Sequence, residues 1–107
     1  MYRICQWMTR MKTILLINPP RIHRSNFNDF IVELPIGLLS IAAYLRQSSE
    51  VSVSVFDCLI ESFEIVESTQ FVRYGTPFPE IVKRAISIDP DIIGIGCPFS
   101  TQSDICL

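Results

Sequence analysis

The stretch KTILLINPP, Lys12 to Pro20, decides how the rest of the chain is read. Thr13 to Asn18 is a short, β-rich run with no alternation of polar and apolar residues. A strand of that kind is buried on both faces, as in a parallel sheet wound with helices. The run stops at Asn18, and Pro19, Pro20, Arg21 and His23 follow almost at once. A loop from Asn18 to Asn28 is expected, either an ordinary turn or one that carries a ligand.

The flanking segments fit such a sheet. LPIGLLSIAAYLRQS, Leu34 to Ser48, reads as a helix, with Pro35 in its first turn, where the missing N–H has no helical partner. Leu38, Ile41, Ala42 and Leu45 make one face, widened by Ile36, Leu39 and Ala43, and Arg46 suits the negative end of the helix dipole. VSVSVFD, Val51 to Asp57, alternates through Val51, Val53 and Val55 and predicts a strand near a sheet edge. In the next twenty residues, Leu59, Phe63 and Val66 have helical spacing with Glu61, Glu64 and Glu67 between them, which predicts a short amphipathic helix. PEIVKRAISIDP, Pro79 to Pro90, predicts a helix that Pro90 ends. DIIGIGCP, Asp91 to Pro98, predicts another buried strand, and FSTQSDICL the start of one more helix.

Strand, helix, strand, helix, strand and a helix start, joined by right-handed crossovers, give an α/β fold: a doubly wound parallel sheet, incomplete, of about three strands with flanking helices. Residues 1–11 show no clear period and read as an N-terminal extension expected to be poorly ordered; residues 12–107 read as a partial domain.

The totals exclude several classes. A formal charge of −2 over 107 residues, with positive charge concentrated only at Arg3, Arg10, Arg21 and Arg24, argues against a nucleic-acid surface. The longest uncharged apolar stretch, Leu34 to Leu45, falls short of the roughly 20 residues a membrane-spanning helix needs. The N-terminus lacks the apolar region of a secretory signal, so a cytoplasmic location is expected. Cys5, Cys58, Cys97 and Cys106 lack zinc-site or cluster spacing and read as scattered thiols in a reducing compartment.

In an open parallel sheet, ligands bind beyond the carboxyl ends of the strands. The segments after Asn18, after Asp57 and from Cys97 to Ser103 therefore carry the candidate chemistry. Gly94 and Gly96 lie inside a strand and lack a third glycine, so they form no dinucleotide fingerprint, and no phosphate-binding P-loop exists. Without those glycines, Asp57 is a weak candidate for a ribose hydroxyl. The acidic residues of a response-regulator receiver domain are absent, since the first strand ends in INPP and the third in GCPF. Gly37 permits helix–sheet contact or leaves room for a flat ligand over the helix start. His23 is a solvent-facing or locally bonded histidine, or an axial ligand to a metal held by something else.

Taken in order, KTILLINPP, ELPIGLLSIAAYL, VSVFD and DPDIIGIGCPFST resemble the N-terminal cobalamin-binding domain of radical S-adenosylmethionine enzymes, over roughly Lys12 to Thr101. That resemblance implies a flavodoxin-like (Rossmann-like) fold holding cobalamin above the strand ends. It implies that Asn18, Pro19 and Pro20 line the first loop and that Pro35, Ile36 and Gly37 face the corrin at the helix start. Asp57 would follow the second strand, and Cys97, Pro98, Phe99, Ser100 and Thr101 would form the loop after the third. The Asp-x-His-x-x-Gly motif of cobalamin mutases is replaced here by Asn18-Pro19-Pro20, so the cofactor is expected without histidine on cobalt, and His23 is a poor ligand. The cysteine triplet that binds the iron–sulfur cluster is absent. The chain is thus expected to be a binding module without catalytic residues of its own. Its partner would be a downstream radical S-adenosylmethionine domain, of methyltransferase type, that holds the cluster and S-adenosylmethionine. The competing expectation is a cofactor-free flavodoxin-like interaction or structural module, its first loop filled by Phe27 or Phe30.

Overall fold

A computed structural model describes residues 11–24, 34–61, 64–68 and 70–97. In chain order its elements are β1 (Lys12–Asn18), β2 (Arg21–Arg24), α1 (Ile36–Leu45), β3 (Val51–Asp57), β4 (Glu64–Glu67), β5 (Phe71–Gly75), α2 (Phe78–Ile88) and β6 (Ile92–Ile95). Residues 1–10, Phe27, Phe30 and residues 98–107, with the helix start expected there, lie outside the described residues.

Three strands form a parallel sheet in the order β3–β1–β6. β1 pairs with β3 from Lys12 opposite Val51 to Asn18 opposite Asp57, and with β6 from Ile14 opposite Ile92 to Ile17 opposite Ile95. The central position of β1 explains its unbroken apolar run, because both faces are covered. Ile14 and Leu16 pack with Val53 and with Ala42, Leu38 and Leu45 of α1. Leu15 and Ile17 point the other way, onto Phe56, Cys58 and the Ile81, Ala85 and Ile88 stripe of α2. Strand alternation thus distributes one sequence run between two cores, with a helix on each face. The alternating β3 lies at an edge of this sheet, as its pattern predicts.

The caps follow local chemistry. Pro77 caps α2 in extended backbone, Pro79 lies in its first turn, and Glu80 is placed to favour the positive helix end. Asp89 adopts a left-handed conformation, φ 51°, at the other end, and Pro90 prevents continuation.

Two expectations need correction. The segment after β1 is not a loop throughout, and the segment after Asp57 is not an amphipathic helix. Instead β2, β5 and β4 form a second, antiparallel sheet in that order. His23 is therefore a strand residue, opposite Val72. Residues 58–60 make a turn, and Glu64 to Glu67 pair with Val72 to Gly75. Ile65, Val66, Phe71, Val72 and Tyr74 are strand-favouring residues, and the pairing of β4 with β5 outweighs a helical spacing that has no sheet face to pack on. The Ser68 hydroxyl accepts the Phe71 N–H (3.0 Å) and pins the reversal between β4 and β5.

A third difference concerns β6. It reads as buried, yet Ile92, Ile93 and Ile95 are about half exposed. β6 is the other edge of the described parallel sheet, and the apolar stripes of both helices lie over β1 and β3 instead.

Candidate ligand-binding cleft at the strand ends

The carboxyl ends of β1 and β3 are joined by side chains as well as by backbone. Asn18 and Asp57, opposite each other in register, are both buried. The Asn18 Nδ2 donates to Asp57 Oδ1 (2.9 Å), and the same oxygen accepts the Leu59 N–H (3.0 Å). Asn18 Oδ1 in turn accepts from Arg21 Nη2 (3.1 Å), while Arg21 Nη1 donates to the Pro19 carbonyl (2.9 Å). One line of hydrogen bonds therefore runs from Asp57 through Asn18 to the Arg21 guanidinium.

Beside this line lies a cleft of about 340 Å³ between the ends of β1 and β6 and the first turn of α1. Asn18 and Arg21 border it on one side, Gly96 and Cys97 on another. Leu34, Pro35, Ile36, Gly37, Leu38 and Ile41 supply a mostly apolar wall. The volume is at the lower end of small-molecule sites, which run from about 300 to 1,000 Å³. A Cβ on Gly37 would meet nothing within 4 Å, so the helix start leaves open space over the cleft.

Of the residues singled out in the sequence, Asn18, Pro35, Ile36, Gly37 and Cys97 come together around this cleft. Pro19 and Pro20 are buried and are not among its lining residues; Pro20 packs against Gly75 of the second sheet. Asp57 lies behind Asn18 and reaches the cleft through it. Pro98, Phe99, Ser100 and Thr101 lie outside the described residues. Five lining positions were not among the candidate site residues: Arg21, Leu34, Leu38, Ile41 and Gly96. Arg21 had one available signal, its place three residues beyond a strand-ending Asn. Ile41 reads as part of the face packed on the sheet, but it is half exposed and belongs to the cleft wall.

Cys58, next to Asp57, is fully buried. Burial, and then the neighbouring Asp57 carboxyl, push its thiol up to about 12, against opposition from the Thr76 hydroxyl and Arg73. Native protein at pH 8 should therefore resist iodoacetamide at Cys58 while the exposed Cys97 is labelled, and Cys58 should react only on unfolding. Peptide mass spectrometry distinguishes the two; labelling of both at equal rates in folded protein would contradict the burial. The folded thiol titrates above the unfolded one, near 9.0, so its contribution to stability is whole below pH 9 and is lost as pH climbs towards 12.

Among the described residues, no group of three or more His, Cys, Asp or Glu side chains could hold a metal ion. No described helix is long and apolar enough to cross a membrane.

The chain is similar to cytidylyl-2-hydroxyethylphosphonate methyltransferase of Streptomyces wedmorensis, with 32% identity over 100 residues. The match takes in 89% of this chain and spans 18% of the methyltransferase. No family model matches the chain, and no solved structure matches it.

Proposed function

We propose that the chain is a cobalamin-binding module of a radical S-adenosylmethionine methyltransferase. The observation that carries this reading is the position of the cleft. It lies between the carboxyl ends of β1 and β6, where the winding of the β3–β1–β6 sheet changes direction. Open α/β sheets hold ligands at that point, and the strand order is the one with which flavodoxin-like domains begin. The likeness to a methyltransferase supports a methyl-transfer setting.

The residues present fit a corrin edge. The apolar wall from Leu34 to Ile41 suits a macrocycle face, the open space above Gly37 admits it, and Asn18 and Arg21 offer polar atoms to its amide-bearing rim. A cleft of this volume takes part of so large a ring, not all of it. When bound, cobalamin supplies a cobalt centre that carries a methyl group. This chain's own residues bind and orient: Pro35, Ile36 and Gly37 at the helix start, Asn18 at the strand end, and Cys97 with the segment that follows it. The iron–sulfur cluster and S-adenosylmethionine belong, on this reading, to a separate catalytic domain.

Titration of the 107-residue chain with hydroxocobalamin tests the proposal. Saturable displacement of the corrin absorption bands is expected. Gly37→Phe, which fills the open space, should abolish it, while Gly37→Ala should keep the fold and raise stability by up to about 1 kcal/mol through helix propensity. The urea midpoint of each variant, read by circular dichroism, separates loss of binding from loss of fold. Unshifted bands with well-folded protein would overturn the cobalamin reading and favour a cofactor-free module.

A further inference from the structure

Among the described residues that line the cleft, Arg21 is the one charged side chain. It is also held in place. Among the described residues, its guanidinium donates to the Pro19 carbonyl and to Asn18 Oδ1, which fixes the group at the end of β1. The Asn18 amide is oriented in turn, because its nitrogen donates to buried Asp57 and its oxygen must then face Arg21. A guanidinium tethered on one side, beside a cleft with no acidic side chain among its described lining residues, is built to receive an anionic oxygen group.

We infer that Arg21 anchors a phosphate or carboxylate oxygen of the ligand, and that Asp57 and Asn18 are positioning residues that aim its guanidinium into the cleft. The inference rests on the reading of the cleft as a ligand site, but not on the ligand's being cobalamin. It gives Asp57 a role other than contact with a ribose. The anionic group has two possible sources, the phosphodiester of the cofactor or a phosphate on a second ligand.

Calorimetric titrations of the full chain and of Arg21→Gln and Arg21→Lys, with hydroxocobalamin and with inorganic pyrophosphate as probes, separate these sources. Weakening of hydroxocobalamin binding by about tenfold or more in Arg21→Gln, with an intermediate loss in Arg21→Lys, assigns the group to the cofactor. Saturable pyrophosphate binding that Arg21→Gln abolishes assigns it to a second ligand. That result would uphold the anchoring role even if hydroxocobalamin failed to bind, in which case only the cobalamin reading falls. In either case the native chain's affinity should drop between about 0.1 M and about 1 M salt, as the screening length shrinks from about 10 to about 3 Å. Where Arg21→Gln still binds hydroxocobalamin, it should lose that sensitivity, a change that a merely structural arginine would not produce. Equal binding by all three proteins, or no saturable binding of either probe, overturns the inference.

Discussion

Replacing Asp57 with Ala is expected to destabilise the chain by about 3–5 kcal/mol, whereas Asp57→Asn should cost less than about 1 kcal/mol. Asp57 is buried at the end of β3, and its Oδ1 accepts both the Asn18 amide and the Leu59 N–H. Alanine removes that acceptor and leaves two buried donors without partners, each costing about 1–3 kcal/mol. It also releases the Asn18 side chain, so the junction between β1 and β3 loosens where both strands end. Asparagine keeps an oxygen in the same place and can satisfy the same two donors. The comparison therefore isolates acceptor geometry from the volume of the side chain. Urea unfolding followed by circular dichroism measures both variants, and equal losses for Ala and Asn would mean that the carboxylate form, not the shared acceptor, matters. Because Asn18 passes the orientation on to Arg21, the same pair has a consequence for the cleft. A folded Asp57→Asn chain should retain ligand affinity, while Asp57→Ala should lose it even where enough folded protein remains to titrate.

The parallel sheet was legible because its signals are local. The apolar run of β1, the valine alternation of β3 and the stripe Ile81, Ala85, Ile88 each state a face, and those faces meet in the two cores. The second sheet was not legible. Arg21 pairs with Tyr74 and Arg24 with Phe71, so β2 and β5 are brought together from about 50 residues apart by contacts that no local pattern announces. The glutamates of β4 fall at helical spacing, and only the pairing of Glu64 to Glu67 with β5 resolves the ambiguity in favour of a strand. The same distinction holds at the cleft. Asn18 could be named because parallel sheets hold ligands at strand ends, and Pro35 and Gly37 because the resemblance to cobalamin-binding domains places them at the helix start. Arg21 could not, because its place depends on the tether to Pro19 and Asn18 and on the second sheet that carries β2.

The joint between the two sheets is where a single methyl group should do most harm. Gly75, at the end of β5, has φ +123°, a conformation that L residues with a side chain rarely adopt. A Cβ there would lie 2.8 Å from the Cys58 carbonyl oxygen and 2.8 Å from Pro20 Cβ. Neither neighbour can yield cheaply: the first is backbone that also accepts the Thr76 N–H (2.7 Å), and the second is a buried proline ring. Backbone strain of about 1–3 kcal/mol adds to the overlap, so Gly75→Ala is expected to cost about 3 kcal/mol or more. The damage should not stay local, because Pro20 follows β1, Cys58 follows β3 and Gly75 ends β5. Moving any one of them shifts the strand end that holds Asn18. A lowered urea midpoint together with faster iodoacetamide labelling of Cys58 would locate the failure at this joint. A variant that unfolds at the native midpoint, with Cys58 still protected, would show that the two sheets are not locked together through Gly75, and that the strand ends bordering the cleft depend on the parallel sheet alone.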